Sequence, residues 1–194
     1  MACPIGEPLG SGDVIARETI TDVLGSYCAV SPSADSPALQ LDEVRFRMDA
    51  LETWDFTREE AHAAQKTAVT FLVEEVLDSS ILDTQQNGTV DDWHAATPYR
   101  FVDFAPTDGV VLHDRLPALA RDGAPRASDI RVTVTRVTAQ GGKSGPRSLL
   151  VVLEADASYR AQDAASVEAH VDYQLSFTPD GGIIGYSYRY DIAD

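Results

Sequence analysis

The sequence predicts an α+β fold in which one long N-terminal helix packs against a curved antiparallel meander of four or more strands. Three observations carry this. Thr57-Arg58-Glu59-Glu60 is a capping box that opens an amphipathic helix. Residues from Ile130 onward alternate between apolar and polar with the period of strands that have one buried face. Pro179-Asp180-Gly181-Gly182 separates the last two such stretches and reads as a hairpin turn.

The final hairpin is the most explicit part of the chain. Val167, Ala169, Val171, Tyr173, Leu175 and Phe177 share one face, and Glu168, His170, Asp172, Gln174 and Ser176 share the other. With Asp180-Gly181 as a two-residue loop, Phe177 pairs with Ile184, Leu175 with Tyr186, Tyr173 with Tyr188 and Val171 with Tyr190, while Asp172 meets Arg189 on the opposite face. A one-residue slip would turn the tyrosines outward.

The other elements follow in chain order. Residues 1–56 read as an N-terminal arm with a Gly/Pro linker, ahead of a domain spanning 57–194. Asp13 to Tyr27 suits either a capped helix or, through Thr19, Ile20, Thr21 and Val23, a strand. A strand is expected around Glu43–Met48. The helix should run from Arg58 to about Ser80, with Ala61, Ala64, Ala68, Phe71, Leu72 and Val76 forming its apolar stripe. Asn87-Gly88 is a turn, and Thr89 caps a short helix carrying Trp93 that Pro98 stops. Tyr99–Phe104 and Val110–Leu112 suit short strands, and Asp114–Ala120 a helical turn. Ile130–Thr138 and Leu149–Tyr159 complete the meander.

Composition narrows the function classes. The chain has 194 residues, with 31 acidic and 15 basic side chains and a net charge of −16. Without a basic cluster, nucleic acid and anionic membrane are poor partners. No apolar run reaches the roughly 20 residues that span a bilayer. Four dispersed histidines make no metal site, and no cofactor motif is present. Gly141-Gly142-Lys143-Ser144 lacks the spacing of a phosphate-binding loop and joins strand to strand.

Two readings of Cys3 and Cys28 stand open. They pair in an oxidising compartment, or they are free thiols. Met-Ala-Cys-Pro followed by Gly6, Pro8, Gly10 and Gly12 also looks like the start of a processed bacterial lipoprotein. Cys3 would then carry the lipid, and the lipid would tether an extracytoplasmic protein to the membrane.

From Thr57 onward, the order of elements resembles the NTF2-like, or cystatin-like, α+β folds, in which a bent sheet wraps a helix into a cone. The NTF2-like fold hosts isomerases, dehydratases and hydrolases, as well as binding and assembly modules, so the residues must decide. The resemblance implies that catalytic acids or histidines would project from the sheet face turned toward the helix. Here that face carries Tyr173, Tyr186, Tyr188 and Tyr190. The ionisable residues Glu154, Asp156, Glu168, His170 and Asp172 lie outside, with Glu154 expected opposite His170. The expectation is therefore a non-catalytic module. Tyr173, Tyr186, Tyr188 and Trp93 would line a site for a protein partner or a small apolar ligand, and a homodimer through the sheet is open. The competing enzyme reading uses Asp103, on a strand face with Tyr99 and Phe101, together with His113 or Tyr173.

Overall fold

The computed structural model describes residues 3–82, 89–107, 112, 115–141, 146–163 and 165–193. It is α+β. A sheet of order β1-β2-β3 is built from β1 (Val14–Asp22), β2 (Gly25–Pro32) and β3 (Asp122–Pro125). A second sheet is the meander of β4 (Ala127–Gln140), β5 (Ser148–Arg160), β6 (Ser166–Phe177) and β7 (Ile183–Ala193), in that order. The helices are α1 (Met48–Thr53), α2 (Arg58–Phe71) and α3 (Val90–Ala96). α2 lies over β4 and β5.

The capping box at Thr57 forms as its residues require. Thr57 Oγ1 accepts from the Glu60 amide at 3.1 Å, and the Glu60 carboxylate accepts from the Thr57 amide at 2.7 Å. The same device, with Asp92 in the third position, opens α3. The long helix changes pitch, however. After Phe71 it continues as a π-helix over Leu72–Leu77, closed by the Asp78 amide donating to the Val73 carbonyl at 2.9 Å.

This helix is not N-terminal, because β1 and β2 precede it. The β-branched run Thr19-Ile20-Thr21 decided the ambiguous segment in favour of a hairpin. The stretch read as an arm also supplies Leu9, Val14, Val30, Phe46, Leu51 and Phe56 to the core that contains α2 and the meander, so the chain on either side of Thr57 shares one core. Cys3 and Cys28 form a disulfide that fastens the arm to β2. That bond and a lipid thioether exclude each other at Cys3.

Three further expectations change. Glu43–Arg45 forms a 3-10 turn rather than a strand, because Asp42 accepts from the Val44 amide at 3.1 Å and starts a turn. The Tyr99–Phe104 segment makes a single parallel bridge, Phe101 to Ile183. Asp114–Ala120 shows no helix among its described residues; Leu119 bridges to Ala161 instead. The readings at Asn87-Gly88 and Val110-Val111 lie outside the described residues.

The hairpin register holds for Leu175–Tyr186, Tyr173–Tyr188, Val171–Tyr190 and Asp172–Arg189. The turn is not the one expected. The Gly181 amide donates to the Thr178 carbonyl at 3.0 Å, and Gly181 alone in the loop has positive φ, at 83°. Pro179 and Asp180 are therefore the centre of a type I turn followed by a left-handed glycine, as Pro179 favours. This loop pairs Phe177 with Ile183, and Ile184 is bulged out, which restores the expected register beyond it.

One buried ion pair joins both sheets to the helix. Arg126, between β3 and β4, is fully enclosed, and its Nε donates to Asp78 Oδ1 at 2.9 Å. Asp78 Oδ2 accepts from the Val30 amide of β2 at 2.8 Å. Arg126 also donates to the Asp78 and Ser79 carbonyls that end the helix. The guanidinium groups of Arg126 and Arg121 lie 3.6 and 4.7 Å from the Tyr27 ring centroid. Burial pushes the Asp78 carboxyl up, against the pull of Arg126, and pushes the Tyr27 hydroxyl to about 12. Replacing Asp78 with Ala takes a carboxylate from a buried guanidinium and should cost about 3–5 kcal/mol in urea unfolding. The double replacement Asp78→Leu with Arg126→Met should cost less than that single change.

Candidate functional site

Alternation along β7 puts Tyr186, Tyr188 and Tyr190 on one face, beside Tyr173 of β6. Their rings form a stacked row. Tyr186 to Tyr188 is 6.2 Å between centroids, Tyr188 to Tyr190 is 4.7 Å, and Tyr173 stands 6.5 and 6.4 Å from Tyr186 and Tyr188. The row runs from core to surface. Tyr173 is fully buried, Tyr186 and Tyr190 are half-buried, and Tyr188 is 37% exposed. The reason is placement: α2 covers β4 and β5, and β7 lies beyond it. At one end Phe104 covers Tyr186 at 5.7 Å, and the Tyr186 hydroxyl accepts from the Thr107 amide at 3.1 Å. Burial drives the Tyr173 and Tyr190 hydroxyls above their ordinary range, and neighbouring tyrosines add to this.

The space between α2 and the sheet is filled. Phe71 packs edge-on against Tyr99 at 4.9 Å and Trp93 at 6.3 Å, and meets Tyr173 at 6.2 Å. Trp93, expected to line a site, is instead buried, and its Nε1 donates to Glu75 Oε2 at 2.6 Å. The wider π turn presents two successive carboxylates to different partners. Glu74 accepts from Arg17 at 2.9 Å and from Ser31 Oγ at 2.6 Å, while Glu75 takes Trp93. Desolvation raises the Glu75 carboxyl, partly offset by the Trp93 bond. The only trace of this pair in the sequence is two adjacent glutamates within an apolar helix end.

On the outer face, β5 and β6 pair Asp156 with His170 and Glu154 with Asp172. The expected Glu154–His170 pairing is thus displaced by two residues, because Ala157 faces Ala169 rather than Val167. His170 Nδ1 is 2.8 Å from Asp156 Oδ1, and Nε2 is 3.7 Å from Asp172 Oδ1. Arg189 pairs along its own strand with Asp191 at 3.1 Å. The arrangement orients an imidazole on a solvated sheet face, and the Asp156 carboxylate favours its protonated form.

The remaining candidates do not converge. Asp103 is exposed, adopts a left-handed φ of 64° and lies outside any strand. The enzyme reading needed it at the base of a cavity. His113 lies outside the described residues. His94 meets the Phe101 ring at 5.2 Å, and His62 is half-buried with Nε2 2.9 Å from the Leu39 carbonyl. Among the described residues, no three His, Cys, Asp or Glu side chains are placed to hold a metal ion, and no helix is long and apolar enough to cross a membrane. No protein-family model, curated protein or solved structure matches this chain.

Asp156 is the first cause of a raised His170 pKa, so Asp156→Asn should lower the imidazole midpoint followed by NMR. Because the folded value is raised, the pair stabilises the fold below the unfolded histidine pKa, about 6.5, and that stabilisation is lost as pH rises through the folded value. In the variant this pH dependence of unfolding should flatten.

Proposed function

We propose that this chain is a non-catalytic binding or assembly module of NTF2-like type that meets a protein partner through the tyrosine row of β7. The observation that carries the reading is the row itself. It leads from the buried Tyr173 to a ring at Tyr188 that is 37% exposed, on a sheet face without a described carboxylate or histidine. Tyrosine supplies large, rigid contact area at low entropic cost and is enriched where proteins meet. The NTF2-like assignment is supported by α2 crossing the inner face of the meander, with Phe71 against Tyr173.

The Cys3–Cys28 disulfide favours an oxidising, extracytoplasmic setting such as the bacterial envelope. Since the disulfide uses the Cys3 sulfur, a lipid tether there is not part of this reading. Closing a loop with a sequence separation of 25 stabilises the fold by about 3–4 kcal/mol in the chain-entropy account. A small apolar ligand or a second copy of the chain at the same row are the other occupants.

A photo-crosslinking residue placed at position 188 in the native cell should give one discrete protein adduct, and one placed at Ser187, on the opposite face, should not. Adducts of equal yield from both faces, or none from position 188, would refute the reading. Separately, Tyr188→Ala should cost less than about 1 kcal/mol of stability and abolish the adduct of a label placed at Tyr186. Tyr173→Ala removes a buried ring and should cost about 3–5 kcal/mol.

A further inference from the structure

The opposite border of the meander carries a second feature, independent of the tyrosine row. β4 is the edge strand there, and it is covered at two points. Its Ile130 carbonyl accepts from the Asp13 amide at 2.7 Å, and its Val137 carbonyl accepts from the Arg47 amide at 2.9 Å. Between them, Val132–Val134 borders a cavity of about 170 Å³, closed on the other sides by Pro37, Ala38, Asp42, Arg45 and Gln65.

Gln65 of α2 is 2% exposed. Its Nε2 donates to the Ala38 carbonyl at 2.7 Å and the Gln40 carbonyl at 2.9 Å. Both partners are acceptors, so the amide can face only one way, and Oε1 is left buried with no partner among the described residues. A buried acceptor without a donor is uncommon in a folded protein and marks a place where a donor belongs. At the cavity mouth, Arg45 Nε pairs with Asp42 at 3.3 Å, while its two terminal nitrogens have no partner among the described residues.

Strand geometry adds a second set of groups. Alternate residues turn their main-chain N–H and C=O to the same edge. With the Ile130 carbonyl turned outward, Val132 and Val134 turn theirs toward the cavity. The walls formed by Pro37, Ala38, Val132 and Val134 are apolar. An occupant must therefore offer an N–H donor, a carbonyl acceptor, an anion for Arg45 and a small apolar group. The volume is close to that of cavities that hold one benzene, about 150 Å³, so it takes about one residue.

We infer that this notch binds the C-terminal end of a short peptide or an N-acylamino acid, with the amide N–H on the Gln65 side and the free carboxylate against Arg45. The acyl carbonyl pairs with the β4 edge as an added strand would. Arg45 is on the rim, and its side chain is 41% exposed, so removing it leaves the fold intact.

The test is an NMR titration of the isotopically labelled full chain with N-acetyl-L-alanine. Saturable shifts are expected at the Gln65 side-chain amide and at the Val132 and Val134 amides. N-acetyl-L-alaninamide, which lacks the carboxylate, should bind about tenfold more weakly. Arg45→Ala should weaken the acid to the level of the amide and leave the amide unchanged. Absence of saturable shifts at these three residues, as for a notch that holds only water, overturns the inference. So does equal binding of acid and amide, or insensitivity to Arg45→Ala. Tyr188→Ala should leave this binding unaltered, which separates its failure from that of the tyrosine-row reading.

Discussion

The Arg126–Asp78 pair is the interaction on which the rest of the structure depends. A guanidinium and a carboxylate with side chains 0% and 1% exposed are costly to bury, and only near-complete satisfaction makes them tolerable. Here the satisfaction is distributed. The carboxylate reaches the β2 main chain, the guanidinium closes the helix end, and the Arg126 carbonyl accepts from the Arg160 amide of β5 at 2.9 Å. Each bond belongs to a different element. The pair therefore specifies how the small sheet, the helix end and the meander are placed relative to one another, something apolar packing alone does loosely.

Arg126 also stands where one sheet gives way to the next. β3 ends at Pro125 and β4 begins at Ala127, so a single residue connects them. That residue and the helix end are bonded to each other at the junction of the two sheets. On the binding reading proposed above, the surfaces are preformed. The tyrosine row and the β4 notch lie at opposite borders of one meander, and surfaces already formed suit binding without large reorganisation.

How much of this was legible in the sequence depended on the range of the interaction. The capping boxes at Thr57 and Thr89 and the β6–β7 pairing rest on neighbours in sequence, and they were readable. β3 was not, since four residues, Asp122–Pro125, pair in parallel with a strand about a hundred positions away. Asp78 and Arg126 looked like two ordinary charges 48 positions apart. The π turn left no periodic trace, because it widens the helix by one residue within an apolar stretch. For the site, alternation located the tyrosines correctly on one face. It could not show that α2 stops short of β7, and that shortfall is what separates the buried Tyr173 from the exposed Tyr188. Trp93 was misread because its buried partner, Glu75, is supplied by a change of helical pitch.

The bulged Ile184 and the longer turn at Pro179-Asp180-Gly181 are two irregularities that cancel. One adds a residue to the loop side of the hairpin, and the other absorbs it before the first tyrosine pair. The register of Tyr186, Tyr188 and Tyr190 is thus insulated from the length of the loop. A descendant of this chain could lose one residue at the tip, close the hairpin with a two-residue turn over the same bulge, and keep every aromatic side chain where it stands. The hairpin tip is free to drift in length over evolutionary time, while the aromatic row behind it stays fixed in place.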